Sequence, residues 1–308
     1  MQVYHFLISS LITFLLLKIF IPILKEYFPD NPNRRGMHKK VKPTSGGIFF
    51  VFTYILMAIY QGFYLPILSA PLSIIGILDD KYNISRFLRL FAQVLTTILV
   101  LLFFGKNTIN LFTEIIGSKS ITILLFLIIG VSIINFINFM DGIDGLICGT
   151  MIIVFLVIND EFHYLSPFIG ALTAFLIYNW EPSKLFMGDS GSMFIGSYLA
   201  SLNFTVSNEV DFYKNIILCS PLYMDCIVTI IRRIINKQNI FTPHKLHLYQ
   251  RLVSSGMSHS KVSLIYIFSI LILGLVYTFY NLQLLILSSF LIFFFGIFID
   301  KKYAVKFK

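Results

Sequence analysis

Eleven apolar runs leave this chain few folds to choose from. They lie at about residues 3–24, 46–65, 66–78, 87–104, 120–138, 143–158, 163–180, 191–206, 213–231, 262–280 and 283–299. Inside a bilayer every backbone N–H and C=O needs a partner within the protein, and apolar runs of this length meet that demand as helices. The 308 residues are 57% hydrophobic and only 13% charged, an apolar surplus that a soluble core would not need. The expected fold is an all-α, polytopic integral membrane protein with about eleven transmembrane helices, forming one domain over residues 1–308. Several runs are shorter than the ~20 residues of a full crossing, which leaves their boundaries soft. The first run is too long for a cleaved leader and reads as a retained span. Cys148, Cys219 and Cys226 lie in apolar surroundings without metal-ligand spacing, as ordinary buried thiols do.

Charge then sets an orientation. The loops at about 25–45, 79–89, 181–190 and 232–261, with the segment after the last run, carry 20 of the 24 Lys and Arg. Lys106, Lys119 and Lys214 fall on the opposite side, and Lys18 within the first run. This bias predicts a cytoplasmic C-terminus and an outward N-terminus. It also accounts for the net charge of +9 without any nucleic-acid partner. Although it uses only Lys and Arg, it brings every unusual polar motif to the same face.

The densest motif is Asn135-Phe-Ile-Asn138-Phe-Met-Asp141-Gly-Ile-Asp144-Gly145. Polar residues at every third position wind off one face of a straight helix, so Gly142 and Gly145 suggest that the helix ends here and lets them converge. Amides and carboxylates at the end of an apolar span are costly unless they are paired or functional. Upstream, His38-Lys39-Lys40-Val-Lys42-Pro-Thr44-Ser-Gly-Gly47 combines phosphate-compatible lysines with glycines that permit close backbone approach. The simpler role for the lysines is membrane anchoring. Asp79 and Asp80 end a short run; as neighbours about 100° apart on a helix they suit different ligands. Arg86 and Arg89 follow, with guanidinium groups suited to phosphate oxygens. Asp189, in Met-Gly-Asp-Ser-Gly-Ser, suits either a hard cation or a helix N-cap. Asp225 is an intramembrane carboxylate for which a structural bond between helices serves nearly as well as a functional role. In the longest loop, His247 and Arg251 share one helical face. His5, His163 and His259 read as ordinary interfacial residues.

Taken together, the motifs resemble the polyprenyl-phosphate N-acetylhexosamine-1-phosphate transferase family, glycosyltransferase family 4. The resemblance covers about residues 38–252 and rests on five motifs in order. They are Pro43-Thr44-x-Gly46-Gly47, Asp79-Asp80, Asn138-x-x-Asp141-Gly142-x-Asp144-Gly145, Met187 to Ser192, and the His-containing loop. It implies transfer of a sugar 1-phosphate from a UDP-sugar to undecaprenyl phosphate, with release of UMP, at the bacterial inner membrane. It further implies Mg²⁺, with Mn²⁺ as a substitute, held by Asp189 with Asn138. Asp79, Asp80 and Asp189 would be catalytic, with Asp79 and Asp80 near the lipid phosphate. Asp141 and Asp144 would hold the nucleotide, and Lys42, Thr44 and Arg89 would contact substrate. The lipid bilayer and a second copy of the chain in a homodimer complete the expected partners. Where many members carry several histidines in the last loop, this chain has His247-Leu-Tyr249-Gln250-Arg251, and His247, Tyr249, Gln250 and Arg251 would form the donor-selecting end of the site. That variant resembles the O-antigen-initiating branch whose donors are 6-deoxy-HexNAc sugars, with UDP-GlcNAc as the alternative. A cation-coupled transporter is the rival from another class, but transporters place their carboxylates at the midplane between repeats, and no repeat is visible here. A non-catalytic membrane scaffold, the third reading, would not need the Asp pair.

Overall fold

The computed structural model describes residues 2–31, 37, 40–159, 164–240 and 242–307; His38, Lys39 and His163 lie outside them. Among the described residues the chain forms fourteen helices and one two-stranded antiparallel ribbon. In order these are α1 (Gln2–Tyr27), β1 (Pro29–Asp30), β2 (Lys42–Pro43), α2 (Gly47–Tyr60), α3 (Leu65–Tyr82), α4 (Arg86–Phe103), α5 (Lys106–Ile116), α6 (Lys119–Met140), α7 (Leu146–Ile158), α8 (Ser166–Asn179), α9 (Gly188–Asn203), α10 (Glu209–Leu218), α11 (Ser220–Ile235), α12 (Leu248–Ser254), α13 (His259–Phe279) and α14 (Leu282–Tyr303). Ten of the eleven apolar runs each fall on one helix and the run at 213–231 on two, and the protein is a polytopic all-α membrane protein.

Five helices, α1, α4, α6, α13 and α14, are individually long and apolar enough to cross a bilayer. The run at 213–231 is not one helix: α10 and α11 meet at Cys219 with a bend of 69°, and only taken together are they long and apolar enough for a span. Pro221 explains the break, because it lacks the N–H that would continue the upstream ladder. Helices α2, α7 and α8 are shorter and apolar.

Helix α9 is the centre of the bundle, and every residue from Ser190 to Asn203 is buried. Its apolar character is modest because it is rich in Ser and Gly, which let neighbouring backbones close in without a driving force from lipid. A Cβ on Gly76 of α3 would run into the backbone of Asp189 and Ser190. Ser69 of α3 and Ser197 of α9 share a hydrogen bond of 2.9 Å further along the same contact. This close approach brings the end of α3 to the start of α9.

Candidate active site

Local rules place the first carboxylates. Helix α3 stops at Asn83, whose left-handed backbone (φ 49°) lets its N–H bond the carbonyl of Asp79. Two residues later Ser85 caps α4 by accepting from the N–H of Leu88. The tight connection makes α3 and α4 antiparallel, so Arg89 reaches back to Asp79. Its Nη1 lies 2.5 Å from Asp79 Oδ2 and 3.1 Å from Asp189 Oδ2, a single guanidinium nitrogen shared by two carboxylates.

Asp80 points the other way, as neighbouring helical positions must. It accepts from the N–H of Asp189 at 3.0 Å and from the hydroxyl of Ser45 at 2.6 Å. It therefore satisfies the free N-terminus of α9 and ties it to the Pro43–Gly47 turn. Gly188 makes this possible twice over. Its φ of 68° is left-handed, and a side chain there would strike Asp80 and Thr44. Asp189 is not the N-cap of α9; it sits inside the first turn, and its other oxygen accepts from Asn138 Nδ2 at 2.9 Å. Asn138 also donates to Ser192.

The three-residue polar repeat resolves as the winding stripe predicts. Asn135 donates to Gln93 of α4 at 2.8 Å, while Asn138 turns to α9. Helix α6 then ends at Met140, so that Asp141 and Asp144 lie in the loop before α7. These two differ sharply. Asp144 is buried and accepts from Ser183 Oγ at 2.8 Å and Ser183 N at 3.0 Å. Lys42 Nζ and His259 Nδ1 each lie 3.4 Å from its carboxylate. Burial alone would raise its pKa, but the bonds from His259 and Ser183 and the charge of Lys42 outweigh it and hold the carboxyl below the usual range. Asp141 is half-buried with no hydrogen bond to its carboxylate among the described residues. Burial, then the charges of Asp189 and Asp144, push its pKa up to about 8.

The structure thus brings Asp79, Asp80, Asp189, Asn138 and Arg89 together, with Asp141 close enough to feel Asp189. Lys42 and Asp144 instead form a separate knot with Ser183, in which Lys42 Nζ bonds Ser183 Oγ at 2.6 Å and stands 5.0 Å from the Phe186 ring centre. Thr44 is buried at the seam, its N–H bonded to the carbonyl of Phe28. In the last loop, His247, Tyr249, Gln250 and Arg251 are all buried. Tyr249 reaches the site, donating its hydroxyl to the carbonyl of Phe139 at 2.9 Å and closing over Gly142. Gln250 accepts the N–H of His247 at 3.3 Å, and His247 Nδ1 lies 3.4 Å from Asp225. Arg251 is bound to Asp300 at 2.6 Å. Asp225 is a structural hub, accepting from the N–H groups of Leu248 and Tyr249 and from the hydroxyl of Tyr266. Ser45, Ser183 and Asn179, which accepts from Gly145 N and donates to Leu185 O, carry no signal of spacing in the sequence. His259, expected to be merely interfacial, sits on Asp144.

Among the described residues no three His, Cys, Asp or Glu side chains stand ready as a closed metal cage. Two carboxylates gathered on one guanidinium, with an amide beside them, are nevertheless an open set of hard oxygen donors. Such a set fits a cation that takes one or two carboxylates and completes its shell with water and substrate phosphates.

An all-α membrane bundle with a carboxylate-rich cluster where four loops meet defines the class of protein. Comparison with known proteins places it more closely. Residues 62–207 match the glycosyl transferase family 4 model. A probable undecaprenyl-phosphate N-acetylglucosaminyl 1-phosphate transferase of Bacillus subtilis is 28% identical over 92% of this chain and 85% of its own length. A decaprenyl-phosphate N-acetylglucosaminephosphotransferase of Mycobacterium tuberculosis is 31% identical over 76% of this chain and 71% of its own. A phospho-N-acetylmuramoyl-pentapeptide-transferase of Dictyoglomus turgidum is 30% identical over 67% and 75% respectively. The chain belongs to glycosyl transferase family 4.

Proposed function

We propose that this protein transfers an N-acetylhexosamine 1-phosphate from a UDP-sugar to undecaprenyl phosphate, releasing UMP. The carrying observation is the meeting of Asp79 and Asp189 on Arg89, with Asp80 and Asn138 in the same cluster. An oxygen of the lipid phosphate attacks the β-phosphorus, and the bond from that phosphorus to the bridging oxygen breaks as UMP leaves. Both reactants are anions, so the site must offset their repulsion. Asp189 with Asn138 would hold Mg²⁺, which would supply that positive charge when bound. Arg89 holds the Asp79 and Asp189 carboxylates in place and offers its remaining N–H groups to phosphate oxygens. Asp80, tied to Ser45 and to the start of α9, fixes the cluster's geometry; Asp79 orients the attacking lipid phosphate. That phosphate, with a second pKa near ~6, is largely deprotonated at neutral pH, so direct attack needs little base catalysis. The Lys and Arg bias supports a site on the cytoplasmic face of the inner membrane, with the N-terminus outside and the product starting a lipid-linked envelope polysaccharide.

For the donor we favour UDP-GlcNAc. The expectation of a 6-deoxy sugar rests on Tyr249 and Gln250, and their side chains are buried against the protein's own backbone, with no apolar face left for a C6 methyl. The Bacillus and Mycobacterium relatives, moreover, carry N-acetylglucosamine in their names. The 6-deoxy-HexNAc reading, with an O-antigen product, remains the second and is decided by the same assay. Purified protein is incubated with undecaprenyl phosphate, Mg²⁺ and each labelled donor. Labelled lipid and equimolar UMP are expected from UDP-GlcNAc, and chelator is expected to stop the reaction. Release of UMP without a labelled lipid, or transfer that persists in excess chelator, would overturn the reaction or the metal respectively. A higher kcat/KM with a 6-deoxy donor would restore the second reading.

A further inference from the structure

Arg251 was expected at the donor, but all three of its guanidinium nitrogens are engaged elsewhere. Nε donates to the carbonyl of Leu246 at 3.1 Å and Nη1 to that of Val305 at 2.9 Å, while Nη2 pairs with Asp300 Oδ1 at 2.6 Å. The other oxygen of Asp300 takes Arg232 Nη1 at 2.5 Å. The Phe307 ring centre lies 5.5 Å from the guanidinium carbon of Arg251 and 5.6 Å from that of Arg232, one ring serving both cations. Val305 N returns a longer bond of 3.4 Å to the carbonyl of Arg251. The segment after α14 is thus folded over α12.

Two facts make these contacts more than decoration. Helix α12 has seven residues, too few to persist without tertiary support. Beside it lies a partly open hollow of about 90 Å³, lined by Met224 and Arg232 of α11, Leu252 of α12, Ile265 of α13, and Phe293 and Asp300 of α14. Tyr249 and Leu252 of α12 are themselves buried in the apolar core, and the polar contacts add to that packing a direct link from α12 to α14 and the segment after it. On its other side α12 leads straight to the site. Tyr249 donates to Phe139 and closes over Gly142, next to Asp141.

We infer that Asp300, Arg232 and Phe307 form a clamp that acts through Arg251 to hold α12, and with it Tyr249, against the loop carrying Asp141. They are positioning residues. Their effect on turnover rests on the proposed function, whereas their effect on the loop does not.

Hydrogen exchange in detergent micelles separates the two. In Phe307→Ala and in Asp300→Asn, amides of residues 246–254 are expected to exchange about tenfold faster, with faster exchange also at 139–145 and none within α9. Phe307→Tyr keeps the ring face and should behave as wild type. In the transfer assay the two damaging variants should raise KM for the UDP-sugar about fivefold and leave KM for the lipid phosphate within about twofold. Unchanged exchange in α12 would overturn the clamp. Faster exchange in α12 with residues 139–145 and the donor KM unmoved would overturn its positioning role. A wild-type protein that transferred nothing would remove the proposed function, and the exchange pattern would still decide the clamp.

Discussion

Asp141 and Asp144 stand three residues apart in one loop, each followed by glycine, and arrive at opposite electrostatic situations. Asp144 accepts two bonds from Ser183 and faces Lys42 and His259, with 3% of its side chain exposed. Asp141 has no such partner and faces other carboxylates. The same residue type thus does two kinds of work. Around Asp144 the chain is stitched together, joining the Lys42 turn, the 181–187 loop and the start of α13. Around Asp141 and Asp189 it is left short of positive charge; Asp189 keeps 25% of its side chain exposed and shares a single arginine with Asp79. A surplus of negative charge on a partly exposed cluster is what a bound cation would relieve.

The largest expected effect lies on the charge-starved side. Asp189→Asn should lower turnover by about a thousandfold or more, on the scale seen when a transition-state electrostatic contact is lost. It should leave the melting temperature in detergent nearly unchanged, because the amide can still accept from Asn138. Turnover close to wild type would place the reaction elsewhere and erase the contrast between the two regions.

Next in size is the split between the paired aspartates. Asp144→Ala leaves Lys42 and Ser183 without their buried acceptor and should cost about 3–5 kcal/mol of stability. Asp141→Asn should do the reverse. The folded pKa of Asp141, about 8, is raised above the unfolded value, so its ionisation costs stability progressively as pH rises from ~4 toward that value. The variant should therefore melt higher than wild type, with a gain that grows up to about pH 8 and then levels off. Asp144 has the opposite sign: its contribution is present above ~4 and fades only as pH falls through its lowered value. Melting curves of both variants between pH 5 and 9 check this in the metal-free protein. Equal destabilisation by both variants would mean the two carboxylates are equivalent after all.

Much of the fold could be read in the sequence, since hydrophobic runs report directly on burial in lipid. Helix α5 escaped that reading because it is short and amphipathic, with Lys106 and Glu114 among its apolar residues. Helix α12 was legible as a short helical face carrying His247 and Arg251, but at seven residues it is no apolar span, and the burial of Tyr249, Gln250 and Arg251 was not legible. The break at Cys219 was signalled by Pro221 but lay within an unbroken apolar run. In the site, carboxylates and glycines stand out because they are expensive or conformationally special. Ser45, Ser183 and Asn179 are neither, and their roles exist only once distant loops meet. The sequence also has no means of separating Asp141 from Asp144, since what separates them is the position of Ser183, some forty residues away, and of His259, more than a hundred away.

The smallest expected effect is also the sharpest test of the knot. Ser183→Ala removes a hydroxyl that donates to Asp144 at 2.8 Å and accepts from Lys42 at 2.6 Å. The backbone N–H of residue 183 still reaches Asp144 Oδ2, and Lys42, relieved of the hydroxyl, can settle fully on the same carboxylate. Asp144 therefore stays satisfied, and the cost should be that of one hydrogen bond, about 1 kcal/mol. If the knot is scaffold, turnover should stay within about threefold of wild type, as for a substitution that leaves transition-state contacts intact. A severe loss of turnover at unchanged melting temperature would mean that Ser183 and Lys42 turn toward substrate during the reaction. Asp144 would then belong with Asp141 in the working half of the loop, and its pairing with Lys42 would be a resting arrangement that the donor displaces.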